Sequence, residues 1–480
     1  MWSIARGGDS AARPAYEWLT LDTQAHHFLR PISDAFGTTT LDLWVERGAG
    51  GAGGGVTAEG FSRTGCNGLI TALVPFHGRR VAVVWSDFRV NAASFGHANS
   101  RRFAAFLTHG APAQGQSVPL IYVVNSAGVS LMEGRALFTD AFALWPALLA
   151  YAERHPVLTC AVGKCLGLAP LLFGLGHYRV AVAGHTQINL TGPEVLRLFF
   201  GRTLDFAAAT GAERAHERND LVHEIVPSVG DAITRFEELL APHSTLAIAP
   251  APIEGAVGCL LRSFLDAEPR ELVPGWCPSL RLFLGLRRGT PVGVFVNPPR
   301  RPDNLITVRT LEKYAAGLDL FRALGVPIVS FLDSPGIDPR FEQGDANNLR
   351  KILWVGEKII RYPHGTMGVV TGRCFGGAST LAFPRVFGSV RTVALRGCRM
   401  GTMHERIITQ VLEKSPRLLQ QWQQVAARQG PAMEDLLADG TLDAVIDSWE
   451  LGDEVDAFLE RIAPPRLTLV RDDGALCERA

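Results

Sequence analysis

The 480-residue chain lacks the features that assign a sequence at once to several functional classes. Lys plus Arg number 47 and Asp plus Glu number 47, so the net charge is zero. No basic excess is present for binding nucleic acid or an anionic membrane. The eight cysteines form no CxxC pair, which argues against structural zinc and a disulfide framework. The phosphate-binding pattern GxxxxGK[ST] is also missing, so ATP binding is not indicated.

Long apolar runs are missing too. The most apolar stretch, residues 157–182, contains Lys164, Pro170 and Arg179, whereas a membrane span needs about 20 cleaner residues. Residues 1–17 have no apolar core of the length that a secretory signal requires. With cysteines that show no pairing pattern, we expect a soluble protein of the reducing cytoplasm, with no membrane, nucleic-acid or metal partner.

The sequence does contain an internal repeat. Three blocks recur in the same order: residues 78–84 with 289–295, residues 119–128 with 327–336, and residues 163–169 with 372–378. The offsets between paired blocks are 211, 208 and 209 residues (289 − 78, 336 − 128, 372 − 163). Short strand-turn patterns recur by chance in many α/β proteins, but a shared order and spacing favour a true duplication.

Each copy predicts the same succession of a buried strand, a Ser-x-Gly turn, a helix, a second strand and a Gly-rich turn. The predicted strands are 120–124, 157–162, 328–332 and 366–371, and the predicted helices are 134–155 and 347–362. Repeated βα layering predicts an α/β domain in each half. We expect an N-terminal extension over 1–56 with a flexible glycine loop at 48–55, domains over 57–245 and 246–480, and a proline-rich linker at 240–252.

The Gly-rich turns are the candidate chemical groups. A strand that ends in glycine and opens a helix leaves backbone N–H groups without helical partners, and two of them aimed at one oxygen form an oxyanion hole. The candidate donors are Ala127, Gly128, Gly167 and Leu168 in the first half and Gly336, Ile337, Gly377 and Ala378 in the second. One such turn is more often structural. Two pairs at matched spacings, 39 (167 − 128) and 40 (376 − 336) residues, favour a site.

Side-chain nucleophiles are weakly indicated. Ser126 lies outside the GxSxG pattern and is interpreted as a turn residue. Cys165 and Cys374 occupy matching repeat positions inside the Gly-rich turns, where a small residue packed beneath the turn is a better interpretation than a nucleophile. The backbone of the turns is therefore favoured over their side chains.

These residues resemble the carboxyltransferase (beta) subunits of biotin-dependent acyl-CoA carboxylases, in the crotonase superfamily. The resemblance runs from about residue 55 to 462 and rests on an ordered set of motifs. They are NSAGVSLMEG at 125–134, GKCLGLA at 163–169, NLTGPEV at 189–195, GAERAH at 211–216, LDSPGI at 332–337, FGGA at 375–378 and GTLDAVI at 440–446.

The resemblance implies an α/β fold of two tandem crotonase-like domains (the ClpP/crotonase β-β-α superhelix). It implies acyl-CoA bound by the first domain, carboxybiotin by the second, and transfer through an enolate without a side-chain base. It further implies a hexamer with biotin carboxylase and biotin carrier partners, or an acyl carrier protein. The chain has no AMKM-like biotinyl motif, so biotin would arrive on a partner. The implied substrate-binding residues are Ser126, Val129, Ser130, Cys165, Leu166 and Thr380.

The sequence departs from the family pattern at three places. Ser130 replaces an arginine, Leu168 replaces a glycine while keeping the N–H, and residues 394–401 differ from the stretch expected near biotin. Carboxyl transfer is the leading interpretation. The departures leave open a biotin-independent decarboxylase of a malonyl-type thioester, and a catalytically silent scaffold homologue.

Overall fold

A computed structural model of the chain describes residues 16–22, 27–46, 68–114, 118–130, 133, 137–203, 205–218, 221–240, 252–299, 304–338, 345–401, 405–413, 415–428, 432–438, 440–462, 469–470 and 476–477. The predicted glycine loop at 48–55 and most of the predicted linker at 240–252 lie outside these residues. The chain divides into two compact units, Met1–Ser244 and Thr245–Ala480.

The first unit is built on a nine-stranded sheet in the order β1-β2-β3-β4-β5-β6-β7-β9, with β8 paired to β6. Neighbours from β1 to β4 are antiparallel, and the pairs from β4 onward are parallel. The strands are β1 Tyr16–Asp22, β2 Thr40–Glu46, β3 Leu69–Phe76, β4 Arg79–Ser86, β5 Leu120–Ser126, β6 Val157–Leu166, β7 Tyr178–Val182, β8 Gln187–Asn189 and β9 Glu224–Val226.

Nine α-helices accompany this sheet in the described part of the first unit. They are α1 Arg30–Phe36, α2 His97–Ala105, α3 Leu137–Phe142, α4 Leu144–Ala152, α5 Ala169–Gly174, α6 Pro193–Phe200, α7 Phe206–Thr210, α8 Ala212–Arg218 and α9 Val229–Leu240. The core lies where they cover the parallel strands, as shown by Phe103 of α2 and Tyr122 of β5, whose ring centroids are 5.4 Å apart. The first five residues of β5, Leu120 to Val124, are buried in this way on both faces.

The second unit repeats this plan with an eight-stranded sheet in the order β10-β11-β12-β13-β14-β15-β17, with β16 paired to β14. Its strands are β10 Arg270–Leu272, β11 Arg281–Arg287, β12 Thr290–Val296, β13 Ile328–Ser334, β14 Thr366–Phe375, β15 Arg391–Leu395, β16 Arg399–Gly401 and β17 Ala444–Ile446. A separate two-stranded sheet joins β18 Leu469–Val470 to β19 Leu476–Cys477.

The second-unit helices are α10 Gly255–Arg262, α11 Val308–Leu324, α12 Asp345–Ile360, α13 Glu405–Leu412, α14 Pro416–Arg428, α15 Ala432–Ala438 and α16 Leu451–Ile462. Phe295 of β12 stacks on Tyr314 of α11, with ring centroids 4.7 Å apart and planes inclined by 11°. Within the described residues, no helix of either unit is both long and apolar enough to cross a bilayer.

One long strand in each unit changes partner half-way. The first part of β6 pairs with β7 and its last part, Lys164 to Leu166, pairs with β8. In the second unit β14 pairs with β15 and then, from Arg373 to Phe375, with β16. The predicted strands at 120–124, 157–162, 328–332 and 366–371 are confirmed, and each continues two to four residues further, into the turn that follows.

The predicted helices are confirmed with different bounds. The stretch 134–155 contains two helices, α3 and α4, with Ala143 between them, and residues 134–136 lie outside the described part. In the second copy, α12 covers most of 347–362 and begins at Asp345. The duplication inferred from the three sequence blocks is therefore a duplication of structure.

The pairing of β13 with β14, like that of β5 with β6, shifts register near the end of the earlier strand. A side-chain hydrogen bond at that point stabilises the shift. Asp333 of β13 is 2% exposed, and its Oδ1 accepts hydrogen bonds from the backbone N and the Nε of Arg373, at 2.9 and 2.8 Å. In the first unit Asn125 does the same for the backbone N of Lys164, at 3.0 Å. A Cβ on Gly372 would lie 2.6 Å from the Asp333 carboxyl carbon, so the glycine makes room for this bond.

We expect Asp333→Ala to lower the free energy of unfolding by about 2–4 kcal/mol, because the Arg373 N–H and guanidinium lose a buried acceptor. Asp333→Asn keeps an acceptor oxygen, as Asn125 does in the first copy, and should cost clearly less. Thermal unfolding of the two variants beside the parent measures the order. Equal melting temperatures for the alanine variant and the parent would contradict this role.

Candidate active site

The two turns of the first unit touch backbone to backbone. Gly128 follows β5 with a φ of +97°, and Gly167 follows β6 with a φ of +64°. A Cβ on Gly128 would lie 2.9 Å from the Leu166 carbonyl oxygen and 3.1 Å from the Gly167 Cα. Both positions need glycine, for the positive φ and for the close approach.

Three of the four predicted first-unit donors already have acceptors. The N–H of Ala127 donates to the Ala92 carbonyl at 3.0 Å, and that of Gly167 donates to the Asn189 carbonyl at 3.2 Å. The N–H of Gly128 donates to the Ser126 hydroxyl at 3.1 Å. Among the described residues of these turns, the N–H groups of Leu168 and Val129 have no acceptor. Val129 was predicted from the sequence to contact substrate, not to donate.

The Val129 N–H is unpaired because Val129 forms an isolated parallel bridge with Phe95. Phe95 donates its N–H to the Gly128 carbonyl at 2.8 Å and accepts from the Ser130 N–H at 2.9 Å. In such a parallel bridge the residue between the two bonds turns its own N–H to the other side. The Val129 nitrogen would lie 3.8 Å from a Cβ on Gly167, so it faces the neighbouring turn.

The Leu168 N–H is unpaired because this residue is the N-cap of α5, with a φ of −71°. Its N–H precedes the first intrahelical hydrogen bond. The leucine side chain is 3% exposed and packs in the first-unit core. The bulk that replaces the glycine of the family pattern therefore lies in the protein core.

The second unit repeats the arrangement. Ile306 donates to the Gly336 carbonyl at 3.0 Å and accepts from the Asp338 N–H at 2.9 Å, so the N–H of Ile337 between them is unpaired in the described part of the chain. Gly377 is the second residue of the 3-10 turn Gly376–Ala382, before its first internal bond. A Cβ on Gly377 would lie 3.1 Å from Cγ1 of Ile337, which brings the two residues together.

The other two second-half candidates are less suited to donate. The Gly336 N–H donates to the Ser334 hydroxyl at 3.2 Å, and the Ala378 N–H lies three residues after the N-cap Phe375, where it makes the first internal bond of the 3-10 turn. Gly336 itself has a φ of +144°. The position that matches Ala127 is Pro335, which has no N–H. Ile337 and Gly377 thus correspond in the repeat to Val129 and Leu168.

The hydroxyl of Ser126 fastens its turn. Ser126 is fully buried, donates to the Ala93 carbonyl at 2.7 Å and accepts from the Gly128 N–H. These bonds agree with the interpretation of Ser126 as a turn residue, and its contact with substrate stays a prediction. Thr380 is half-buried, and its methyl group lies beside Gly356 of α12.

The remaining residues predicted to bind substrate differ in exposure. Cys165 is fully buried and Leu166 is 7% exposed, while Val129 and Ser130 are half-buried. Burial raises the pKa of the Cys165 thiol far above its ordinary range, and it raises the pKa of Cys374 to about 12. Both thiols are therefore protonated at neutral pH and are packed beneath the turns, which disfavours a nucleophilic role.

A pair of titratable residues in the first unit carried no sequence signal. His97, the first residue of α2, has its Nδ1 2.6 Å from Oδ2 of Asp140 in α3. The same carboxylate oxygen accepts from Nε of Arg101 at 2.7 Å. Because 43 residues separate His97 from Asp140, no local motif could join them. Elsewhere in the described residues, no three His, Cys, Asp or Glu side chains are grouped as metal ligands.

Comparison with known proteins gives related sequences and folds. A family model for the carboxyl transferase domain matches residues 55–257. The beta6 subunit of biotin-dependent acetyl-/propionyl-coenzyme A carboxylase from Mycobacterium tuberculosis is 24% identical over 368 residues, which are 70% of this chain and 76% of that protein. The propionyl-CoA carboxylase beta chain of Saccharopolyspora erythraea is 24% identical over 349 residues, 65% of this chain and 63% of its own.

Residues 55–257 thus match the carboxyl transferase domain family, and the chain is similar to carboxyltransferase subunits over about two thirds of its length. Among solved structures, transcarboxylase 12S with methylmalonyl-coenzyme A bound superposes with a TM-score of 0.71 at 19% identity, over 82% of both chains. A single-chain, multi-domain long-chain acyl-CoA carboxylase superposes with a TM-score of 0.64 over 82% of this chain and 41% of its own. The chain therefore has the two-domain crotonase-like fold expected from the sequence motifs.

The thiols allow a direct test of the turn packing. We expect iodoacetamide at pH 8 to modify the exposed Cys259 and to leave Cys165 and Cys374 unmodified in the native protein, because their raised pKa values keep them as thiols. Mass mapping of tryptic peptides gives the result, and denatured protein, in which all three react, is the control. Native labelling of Cys165 would contradict the described turns.

Proposed function

We propose that this protein moves a carboxyl group between biotin on a carrier partner and the α-carbon of an acyl-CoA thioester. The observation that carries the proposal is the pair of unpaired N–H groups at abutting glycine turns, present once in each unit. The names of the relatives, which are biotin-dependent acyl-CoA carboxylase subunits, support the choice of reactants.

In this proposal the N–H groups of Val129 and Leu168 bind the thioester carbonyl oxygen. When the α-carbon becomes an enolate, negative charge develops on that oxygen, and two fixed donors stabilise it without reorganising. Glycine at 128 and 167 keeps the approach free of Cβ atoms. The buried Ser126 and Cys165 hold the turn in place and take no part in bond making.

The second pair, Ile337 and Gly377, fits a second carbonyl oxygen in the same way. Gly377 is exposed and has no side chain, which leaves room for the ureido ring of biotin. Carboxybiotin supplies the carboxyl group and, after losing it, a basic nitrogen. The two N–H groups would hold the ureido oxygen and favour the charge that develops there.

A complete transfer site needs one turn pair from a first unit and one from a second unit. We propose that an assembly of several chains brings them together. Helix α6 and the turn before it expose Leu190, Val195, Leu198 and Phe200, which are 53–73% exposed. A cluster of this kind marks an interaction surface. We propose a hexamer, with biotin carboxylase and biotin carrier proteins as partners; the transcarboxylase 12S neighbour is itself described as a hexamer.

Leu168 gives the sharpest test of the donor assignment. Its φ of −71° suits proline, and its N–H has no protein acceptor, so Leu168→Pro removes one donor without breaking a native bond. We expect the turnover of methylmalonyl-CoA with a biotinylated carrier domain to fall about 10²–10³-fold. Leu168→Met keeps both the N–H and the side-chain volume and should stay near the parent rate.

Both variants must first elute at the parent's assembly size. Mass spectrometry then measures carboxylated carrier and decarboxylated thioester. Parent-like turnover in a correctly assembled Leu168→Pro protein would contradict the donor assignment. Thioester loss without carrier would favour a decarboxylase, and no turnover of any acyl-CoA by the parent would favour a scaffold.

The assembly has its own test. We expect light scattering at micromolar concentration to give a mass near six times the 51.9 kDa chain, because each chain supplies one turn pair of each kind and buries the apolar surface of α6. Leu198→Glu places a charge on that surface and should reduce the mass, whereas Leu149→Glu on α4, at another exposed apolar residue, should not. A monomeric parent would contradict the proposed assembly.

A further inference from the structure

Three polar side chains lie together where the central strands of the first sheet end. Asn125 is next to last in β5, Lys164 is third from last in β6, and Gln187 of β8 is the register partner of Lys164. All three residues are half-buried. Because ligands of parallel sheets bind beyond the carboxyl ends of the strands, this group lies at the edge where a ligand is expected.

The group uses its acceptor oxygens internally and keeps unpaired donors. Oδ1 of Asn125 accepts from the Lys164 backbone N–H at 3.0 Å, and Oε1 of Gln187 accepts from the Lys164 Nζ. The Nζ also lies 5.7 Å from the ring centroid of Phe206. No carboxylate among the described residues forms an ion pair with this ammonium. Its other N–H groups and the amide N–H groups of Asn125 and Gln187 have no acceptor there, so the group is complementary to an anion.

In the second unit the residues that match Asn125 and Lys164 satisfy each other. They are Asp333 and Arg373, at offsets of 208 and 209 residues (333 − 125, 373 − 164). The Nε of Arg373 donates to Oδ1 of Asp333 at 2.8 Å, so a carboxylate neutralises this cation. The fold therefore needs an acceptor at the position of Asn125, whereas the uncompensated charge of Lys164 is a feature of the first unit.

The group is joined to the donor turn that follows β6. Side chains alternate along a strand, so Lys164 and Leu166 lie on one face, with Cα atoms about 6.6 Å apart. Gly167 follows directly, and its N–H donates to the carbonyl of Asn189, the last residue of the strand that Gln187 begins. The flexible four-carbon stem of lysine is of similar length to this separation, so the ammonium is within reach of a group held at the turn.

We propose that Asn125, Lys164 and Gln187 bind the carboxylate of a malonyl-type thioester in the first-unit site. This inference rests on the proposed function, because the N–H groups of Val129 and Leu168 must hold the thioester oxygen. The carboxylate is bonded to the α-carbon, next to that carbonyl, whereas the phosphates of coenzyme A lie beyond the pantetheine arm. The anion nearest the turns is therefore the carboxylate, and its binding distinguishes a carboxylated thioester from the decarboxylated one.

Methylmalonyl-CoA and propionyl-CoA differ only in this carboxylate, so their binding tests the inference without biotin. Isothermal titration calorimetry of the assembled protein gives both Kd values. We expect Lys164→Met to weaken methylmalonyl-CoA binding about 10–100-fold and to change propionyl-CoA binding less than about threefold, because a charge-assisted hydrogen bond to the carboxylate is lost. Lys164→Arg keeps the charge and should keep the preference for methylmalonyl-CoA.

The repeat supplies a matched variant that keeps the fold. Asn125→Asp copies Asp333 of the second unit, so it retains the acceptor for the Lys164 backbone N–H while its charge neutralises the ammonium. It should elute at the parent's assembly size and lose the preference for methylmalonyl-CoA. Lys351→Met is the control, because that second-unit ammonium is 2.9 Å from Glu312 Oε1; it should match the parent with both thioesters.

Free coenzyme A separates the two kinds of anion in the substrate. If Lys164→Met weakens the binding of coenzyme A and of both thioesters equally, the lysine binds a phosphate and the inference is wrong. Equal Kd values of the parent for the two thioesters also overturn it, and the proposed function then stands if carboxyl transfer is observed. A parent that binds neither thioester overturns both.

Discussion

The contact on which both units depend is the approach of two strand-end turns to within van der Waals distance of each other's backbone. In the first unit a Cβ on Gly167 would lie 3.2 Å from the Gly128 Cα, so no other residue fits there without movement. Strands β5 and β6 shift register just before this point, and so do β13 and β14. The hydrogen bond that Asn125 or Asp333 accepts stabilises the shift. The glycines, the register shift and this hydrogen bond together leave N–H groups unpaired that a regular β-ladder would pair.

The parts of this plan that depend on short, local patterns could be predicted from the sequence. The β-branched runs predicted the central strands, and the shared spacing of three blocks predicted the duplication. The positive φ values at Gly128 and Gly167 explain why glycine marks both turns. The motifs that carry the carboxyltransferase resemblance include these same turns. The resemblance therefore predicted the fold correctly. The division of acyl and biotin binding between the two units stays a prediction.

The parts that depend on distant pairing could not be predicted. Which N–H is unpaired is decided by Phe95, 34 residues before Val129 (129 − 95), because its two bonds occupy the neighbours and leave Val129 free. Ala127 looked equivalent in sequence, yet Ala92 accepts its N–H. The His97–Asp140 pair joins two helices in the same non-local way. The sequence shows that Leu168 is bulkier than the glycine of the family pattern. It does not show that this side chain is buried in the first-unit core, because burial depends on the fold.

A crystal structure with a non-hydrolysable acyl-CoA bound would test the central claim most directly, because it locates the thioester oxygen without relying on a rate. The account predicts that oxygen within about 2.7–3.1 Å of the backbone nitrogens of both Val129 and Leu168. An acyl-CoA whose thioester oxygen contacts neither nitrogen, in a protein with the turns arranged as described, would contradict it.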